Sequence, residues 1–291
     1  MRPISILITA AFVVAALSPN SLYAQTPSPS RPAAAVDVRS QLGASINNAG
    51  LQQSFDASWR RASGASPRPL FADAHIAFGG TLAVTPTAVR GGGWLEVAPL
   101  SIVTLRVGAD SSQYFGSFDA ITSLEQRTDA FDPDARKARG NAKAGRTMRL
   151  YATPSVQARV GRIAVASSLA MEWWASSAPG PLFYEPTRDT VLAVGGDRLM
   201  TLNTVMLFEH ATDGGGKRSA GPIHTLTRVH GGALNQQQRI GVLLTQQSVG
   251  RHLGLMRPSV TALVGYYLDD PNKKGQWTAA ASVAFSVGRR R

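Results

Sequence analysis

Between Leu70 and Val287 the chain alternates apolar and polar residues in ten stretches, each nine or more positions long. A two-residue period sends successive side chains to opposite faces of a strand, so this pattern demands a sheet with one apolar face. The last stretch, 276–288, shows it best: Trp277, Ala279, Ala281, Val283, Phe285 and Val287 fall on one face, and Thr278, Ala280, Ser282, Ala284 and Ser286 on the other. Ile76, Phe78, Leu82 and Val84 likewise oppose His75 and Thr81, while Leu95 and Val97 oppose Arg90, Trp94 and Glu96. Further along, Leu105 and Val107 oppose Arg106 and Asp110, Met148 and Leu150 oppose Arg149, and Met171 and Trp173 oppose Glu172. Met206 and Phe208 oppose Glu209, Ile240 and Val242 oppose Arg239, and only 222–231 alternates poorly.

The environment of the apolar face follows from what precedes it. Arg2, an apolar run from Ile4 to Leu17, then Pro19, Asn20 and Ala24 have the layout of a cleavable signal peptide, 1–24, with cleavage expected after Ala24. The run is too short to span a bilayer as a helix, and no other segment is apolar for that length. With no cysteine, a lipoprotein anchor, disulfides and thiolate metal sites are closed. An exported chain of this kind is a soluble periplasmic β-sandwich or a barrel. A sandwich would carry charge on its water-covered face, whereas here the apolar faces hold almost no Lys or Arg. The sequence therefore predicts an all-β fold, a transmembrane antiparallel up-and-down β-barrel of about ten strands, within a range of eight to twelve.

Connection lengths give the orientation. The two longest, 117–145 and 176–197, lie two strands apart and so emerge at the same end, as external loops do. Tight turns near Pro99 and Gly161 fall at the opposite, periplasmic end. Phe183–Val194 is read as loop, since an extra strand there breaks the parity. Residues 25–68, which begin with a Pro/Ser/Ala spacer, are expected to be a periplasmic lead, with 69–291 forming the barrel; 49–60 alternates enough to supply one more strand.

Taken together, the signal, the strand series and an expected aromatic girdle resemble the Gram-negative outer-membrane β-barrel proteins as a broad class. The phrases Trp94-Leu95-Glu96-Val97-Ala98-Pro99-Leu100-Ser101-Ile102 and Tyr184-Glu185-Pro186-Thr187-Arg188-Asp189-Thr190 look like those of uncharacterised members. The resemblance covers roughly 70–288 and implies fold and outer-membrane location but no activity. It also implies the barrel-insertion machinery as a partner, although members commonly end on an aromatic residue and this chain ends in Arg289-Arg290-Arg291.

The 30 Lys+Arg fall to 29 when Arg2 leaves with the signal, against 18 Asp+Glu, a formal net of +11. Export argues against nucleic acid as the partner, which leaves lipopolysaccharide phosphates or anions passing a lumen. Nine charged residues are expected on the inner face: Arg90, Glu96, Arg106, Asp110, Arg149, Glu172, Glu209, Arg228 and Arg239. Six aromatics, Trp94, Tyr114, Trp173, Trp174, Tyr266 and Trp277, are expected at the lipid interfaces. Two passive roles fit these residues: a narrow pore for small, mainly anionic solutes, or a structural and surface-interaction barrel plugged by its own ion pairs and contacting lipopolysaccharide. The basic half of 117–145, with Arg136, Lys137, Arg139, Lys143 and Arg146, is a candidate for lipid A phosphates. An outer-membrane lipid hydrolase is a third reading, resting on His224 with Thr227 or Ser219, and it lacks a His-x-Ser arrangement. No cofactor or metal is expected; Asp132-Pro133-Asp134 lacks the glycine and closing glutamate of a calcium loop.

Overall fold

The computed structural model describes residues 34–47, 50–63, 69–213, 215–230, 236–252 and 255–286. The signal, its cleavage site and the last five residues lie outside these. In chain order the strands are β1 (Ala34–Ile46), β2 (Gly50–Ala62), β3 (His75–Val84), β4 (Ala88–Leu100), β5 (Val103–Phe115), β6 (Ser123–Leu124), β7 (Ala144–Val160) and β8 (Ile163–Ser176). They continue with β9 (Leu182–Glu185), β10 (Thr190–Ala193), β11 (Asp197–Ala211), β12 (Lys217–Val229), β13 (Gln236–Gln247), β14 (Arg251–His252), β15 (Leu255–Asp269) and β16 (Trp277–Ser286). A single α-helix among the described residues, α1 (Pro133–Arg139), sits between β6 and β7.

Twelve strands form the wall. Each pairs antiparallel with its sequence neighbour, and β1 closes the ring on β16 through the register Arg39↔Ser286 to Ile46↔Ala279. Closure leaves the described wall without an open edge to pair with another chain. The count falls at the top of the expected range. The barrel begins at Ala34, which corrects the expectation that 25–68 is a periplasmic lead. The alternation of β1 is diluted by Ser40 and Ala44 on its outer face, and Asn47, at φ 55°, starts the turn to β2. Removing β1 and β2 would open the ring, leaving β3 and β16 each with one unpaired edge.

Outside, the wall is apolar. Phe78, Leu150, Phe208 and Trp277 are 53, 56, 60 and 68 % exposed on the bare chain. Side chains of this size repeat on the outer faces of neighbouring strands, forming a belt that hydrocarbon, and not water, would cover. The connections 116–143, 177–196 and 270–276 leave one end of the barrel, and both ends of the described wall, Ala34 and Ser286, lie at the other with the tight turns at 101–102 and 161–162. Long connections mark the external end. The Phe183–Val194 segment lies outside the wall, as the β9–β10 hairpin, and joins β6 in a separate three-stranded sheet.

Candidate functional site

The interior carries the chemistry, and strand register assembles it. Asp110 on β5 and Arg149 on β7 are Cα partners, and Glu172 lies on β8 beside them. Arg149 bonds Asp110 through Nε at 3.0 Å and Glu172 Oε1 through Nη1 at 3.0 Å. Its guanidinium lies 4.7 Å from the Tyr151 ring centre and 5.6 Å from that of Trp174. Glu172 also accepts Trp174 Nε1 at 2.9 Å, so its charge is satisfied from several directions away from water. Toward the periplasmic end, Arg106 donates to Glu96 Oε2 through Nε at 2.9 Å and Nη2 at 2.7 Å, and His75 Nε2 lies 3.0 Å from Glu96 Oε1. Arg106 stacks 4.2 Å above the Trp94 ring, which packs closely against Gly79. Glu209 pairs with Arg159 and Lys217. Arg90 and Arg239 also face inward, and Arg90 Nη1 has no hydrogen-bond partner.

Into this lumen the β9–β10 hairpin folds its tip. Arg188 donates through Nε to Glu172 Oε2 at 2.9 Å and makes a second contact to Oε1. Tyr114, inward on β5, donates to Glu185 Oε1 at 2.7 Å, and Thr187 donates to the same oxygen through its backbone N–H and its hydroxyl at 3.0 and 2.6 Å. Asp189 accepts Tyr184 Oη at 2.7 Å and ion-pairs with Lys273, while its carbonyl accepts Gln237 Nε2 at 2.6 Å. The tip is thus fastened to β5, β8, β13 and the 270–276 connection. Above it, Ile121, Phe183 and Leu192 from the two external loops bury themselves against Tyr114, Trp174, Leu199 and Val229 of the wall. A second apolar cluster of Leu124, Phe131, Leu182, Tyr184 and Val191 joins the loops to each other, with Arg136 stacked 3.9 Å over Tyr184.

Among the described residues, two small cavities border the tip. Thr187 borders a cavity of about 10 Å³ shared with Gln52, Arg90 and Tyr114, and another of about 40 Å³ shared with Thr201, Arg239 and Tyr267. One water needs roughly 10–15 Å³, so these spaces hold one to a few waters. Lower in the lumen, Val205, Leu207, Ile223, Leu243 and Leu263 pack together as an apolar cluster. The loop carboxyls answer to the same burial. Glu185 is pushed up by desolvation, in spite of the Thr187 and Tyr114 hydrogen bonds that oppose the shift. Asp270 is pushed up to about 6, chiefly by burial and then by the neighbouring Asp189 charge.

Several expected positions change. Arg228 faces outward: its Cα partners are Met200 and Gln236, its neighbours Thr227 and Val229 are buried inside, and it is itself exposed. The poor alternation of 222–231 hid the phase, because Ile223 and Val229 are the inward residues and His224 and Arg228 the outward ones. Trp94, Tyr114 and Trp174 are lumen residues and not interfacial ones, since each has a polar or cationic partner inside. Trp173, Tyr266 and Trp277 face outward, the last two in edge contact at 5.3 Å. Arg136, expected to face lipid A, is buried and donates to the Phe131 carbonyl at 2.7 Å. His224 lies on the opposite face of β12 from Ser219 and Thr227 and contacts Gln238 at 3.0 Å, so neither hydroxyl serves it as a nucleophile. Asp132 caps α1 by accepting the Asp134 and Ala135 N–H groups. The hairpin plug escaped the sequence reading, although the run Tyr184-Glu185-Pro186-Thr187-Arg188-Asp189 was its signal: two acids, a base and a tyrosine inside a loop otherwise rich in Leu, Phe and Val.

Compared with known proteins, the chain matches no family model and no curated protein. Among solved structures it is similar to the β domain of the Bordetella autotransporter BrkA, at 15 % identity and a TM-score of 0.44, over 87 % of this chain and 99 % of that one. The KdgM porin in complex with disordered oligogalacturonate scores 0.41 at 9 % identity, over 87 % and 99 %. The translocator domain of the autotransporter NalP from Neisseria meningitidis scores 0.41 at 12 % identity, over 89 % and 90 %. None of these carries an activity over to this chain. Its closed wall and apolar belt are those of the Gram-negative outer-membrane β-barrel class.

Proposed function

We propose that this chain is a barrel held shut by its own loop: the β9–β10 hairpin occupies the lumen at rest, and small anions pass only when it withdraws. The observation that carries the reading is the clamp of Arg188 on Glu172, a buried carboxylate that already has Arg149 as a partner. The extra arginine belongs to the loop, so its departure leaves Glu172 paired and the wall intact. With the tip gone, Arg90 and Arg239 would face water from opposite sides of the space that Thr187 now separates. That arrangement favours anions over cations. With the hairpin docked, the barrel is a closed surface element in lipopolysaccharide, presenting the packed loops outward.

The test is chloride and small-anion flux into liposomes holding refolded full-length protein, checked for heat-modifiable migration. The wild type should leak little, and a variant lacking residues 186–189 should leak anions faster than cations. Equal, fast flux through both would overturn the plug.

A further inference from the structure

We propose that the membrane-facing patch of Arg198, Arg228 and His230 at the external ends of β11 and β12 binds the phosphate groups of lipid A, the anchor of lipopolysaccharide. The inference rests on the outer-membrane setting adopted above and is independent of the hairpin, which lies on the other side of the wall. Arg228 sits opposite Met200 on β11 and Gln236 on β13; Arg198 sits opposite Trp173 on β8, and its carbonyl accepts the His230 N–H at 2.8 Å. Arg198, Arg228 and His230 are exposed, and neither arginine has an ion-pair partner among the described residues.

The nearest acids are already committed. Asp197 turns its carboxylate to Arg127 at 2.6 Å and to the Ala193 N–H at 3.0 Å, and Asp269 lies at the far edge of the patch, where Gln236 donates to it at 3.4 Å. Below the arginines, Met200, Leu202 and Leu226 continue the apolar wall. The surface therefore presents uncompensated guanidinium groups directly above hydrocarbon-facing side chains. A phosphorylated headgroup with several acyl chains matches both parts, and in the external leaflet of this membrane that molecule is lipid A. Guanidinium binds phosphate through paired N–H donors, and neither guanidinium here is engaged in an ion pair among the described residues.

The experiment uses the refolded full-length chain in detergent, titrated with bis-phosphorylated lipid A and with lipid A stripped of both phosphates. The wild type should bind the phosphorylated form at least tenfold more tightly, and Arg198→Ala with Arg228→Ala should remove most of that preference. Arg218→Ala, an exposed arginine at the periplasmic end of the same strand, should leave it unchanged. Equal binding of the two lipid A forms by the wild type would overturn the proposal. So would an unchanged preference in the double variant, or equal affinity for phosphatidylglycerol micelles. Because these readouts do not involve flux, a barrel that conducts freely and still prefers phosphorylated lipid A would refute the plug and leave this site standing.

Discussion

Arg188, at the tip of an external hairpin, and Glu172, on the inner face of β8, lie 16 positions apart in sequence and meet inside the lumen with Nε 2.9 Å from Oε2. The contact is a fastening between a loop and a wall. Replacing Arg188→Ala should loosen the tip while the barrel stays folded, because Arg149 and Trp174 still satisfy Glu172. Backbone amides of β9 and β10 should then exchange faster with solvent than in the wild type, with those of β7 and β8 unchanged.

The converse substitution acts on the wall itself. Glu172→Ala leaves Arg149 and Arg188 facing each other with only Asp110 between them and the low-dielectric interior. Breaking a buried pair from one side costs about 3–5 kcal/mol. Urea unfolding in lipid should show a loss of that order, well above the loss for Arg188→Ala.

The docked hairpin should also respond to pH. Asp270 titrates at about 6 when the tip is docked and Asp189 is beside it, against 3.8 when hydrated, and Glu185 shifts in the same direction. Raised carboxylate pKa values mean that the docked state binds more protons. Docking is therefore strongest below about pH 4 and weakens as pH rises through about 6, by up to roughly tenfold per unit for one proton. Amide protection of the hairpin should be higher at pH 5 than at pH 7.5, and Asp270→Asn should flatten the difference.

The tryptophans divide between two solvents. Trp173 and Trp277 face hydrocarbon, whereas Trp94 and Trp174 lie inside. In single-tryptophan variants, brominated lipid should quench the first pair strongly and the second pair weakly.

Gly79 exists for Trp94. A Cβ there would stand 2.6 Å from the indole and 2.5 Å from the Ala57 carbonyl oxygen. Gly79→Ala should destabilise the barrel by about 1–3 kcal/mol, the usual cost of overpacking, in the same urea measurement.

The wall was legible in the sequence because a two-residue period leaves no choice of face once lipid covers one side. Ile76, Phe78, Leu150 and Phe208 all lie where alternation puts them. Legibility failed where the pattern weakens. Ser40 and Ala44 blurred β1, and the inward Ile223 and Val229 inverted the apparent phase at Arg228. An aromatic also cannot be placed by type alone: Trp94 and Trp174 carry indoles as apolar as that of Trp277, yet they share the inward phase of Glu96 and Glu172. The plug was the hardest part to read, since Arg188 finds Glu172 through tertiary folding of a loop, and no local period encodes that contact.

Single-channel conductance of the refolded full-length protein in a planar bilayer tests the central claim most directly. Long silent periods in the wild type, with discrete anion-preferring steps once Arg188 and Lys273 are both replaced by alanine, are what a docked hairpin predicts. Steady open steps from the wild type, unchanged by those replacements, would contradict it.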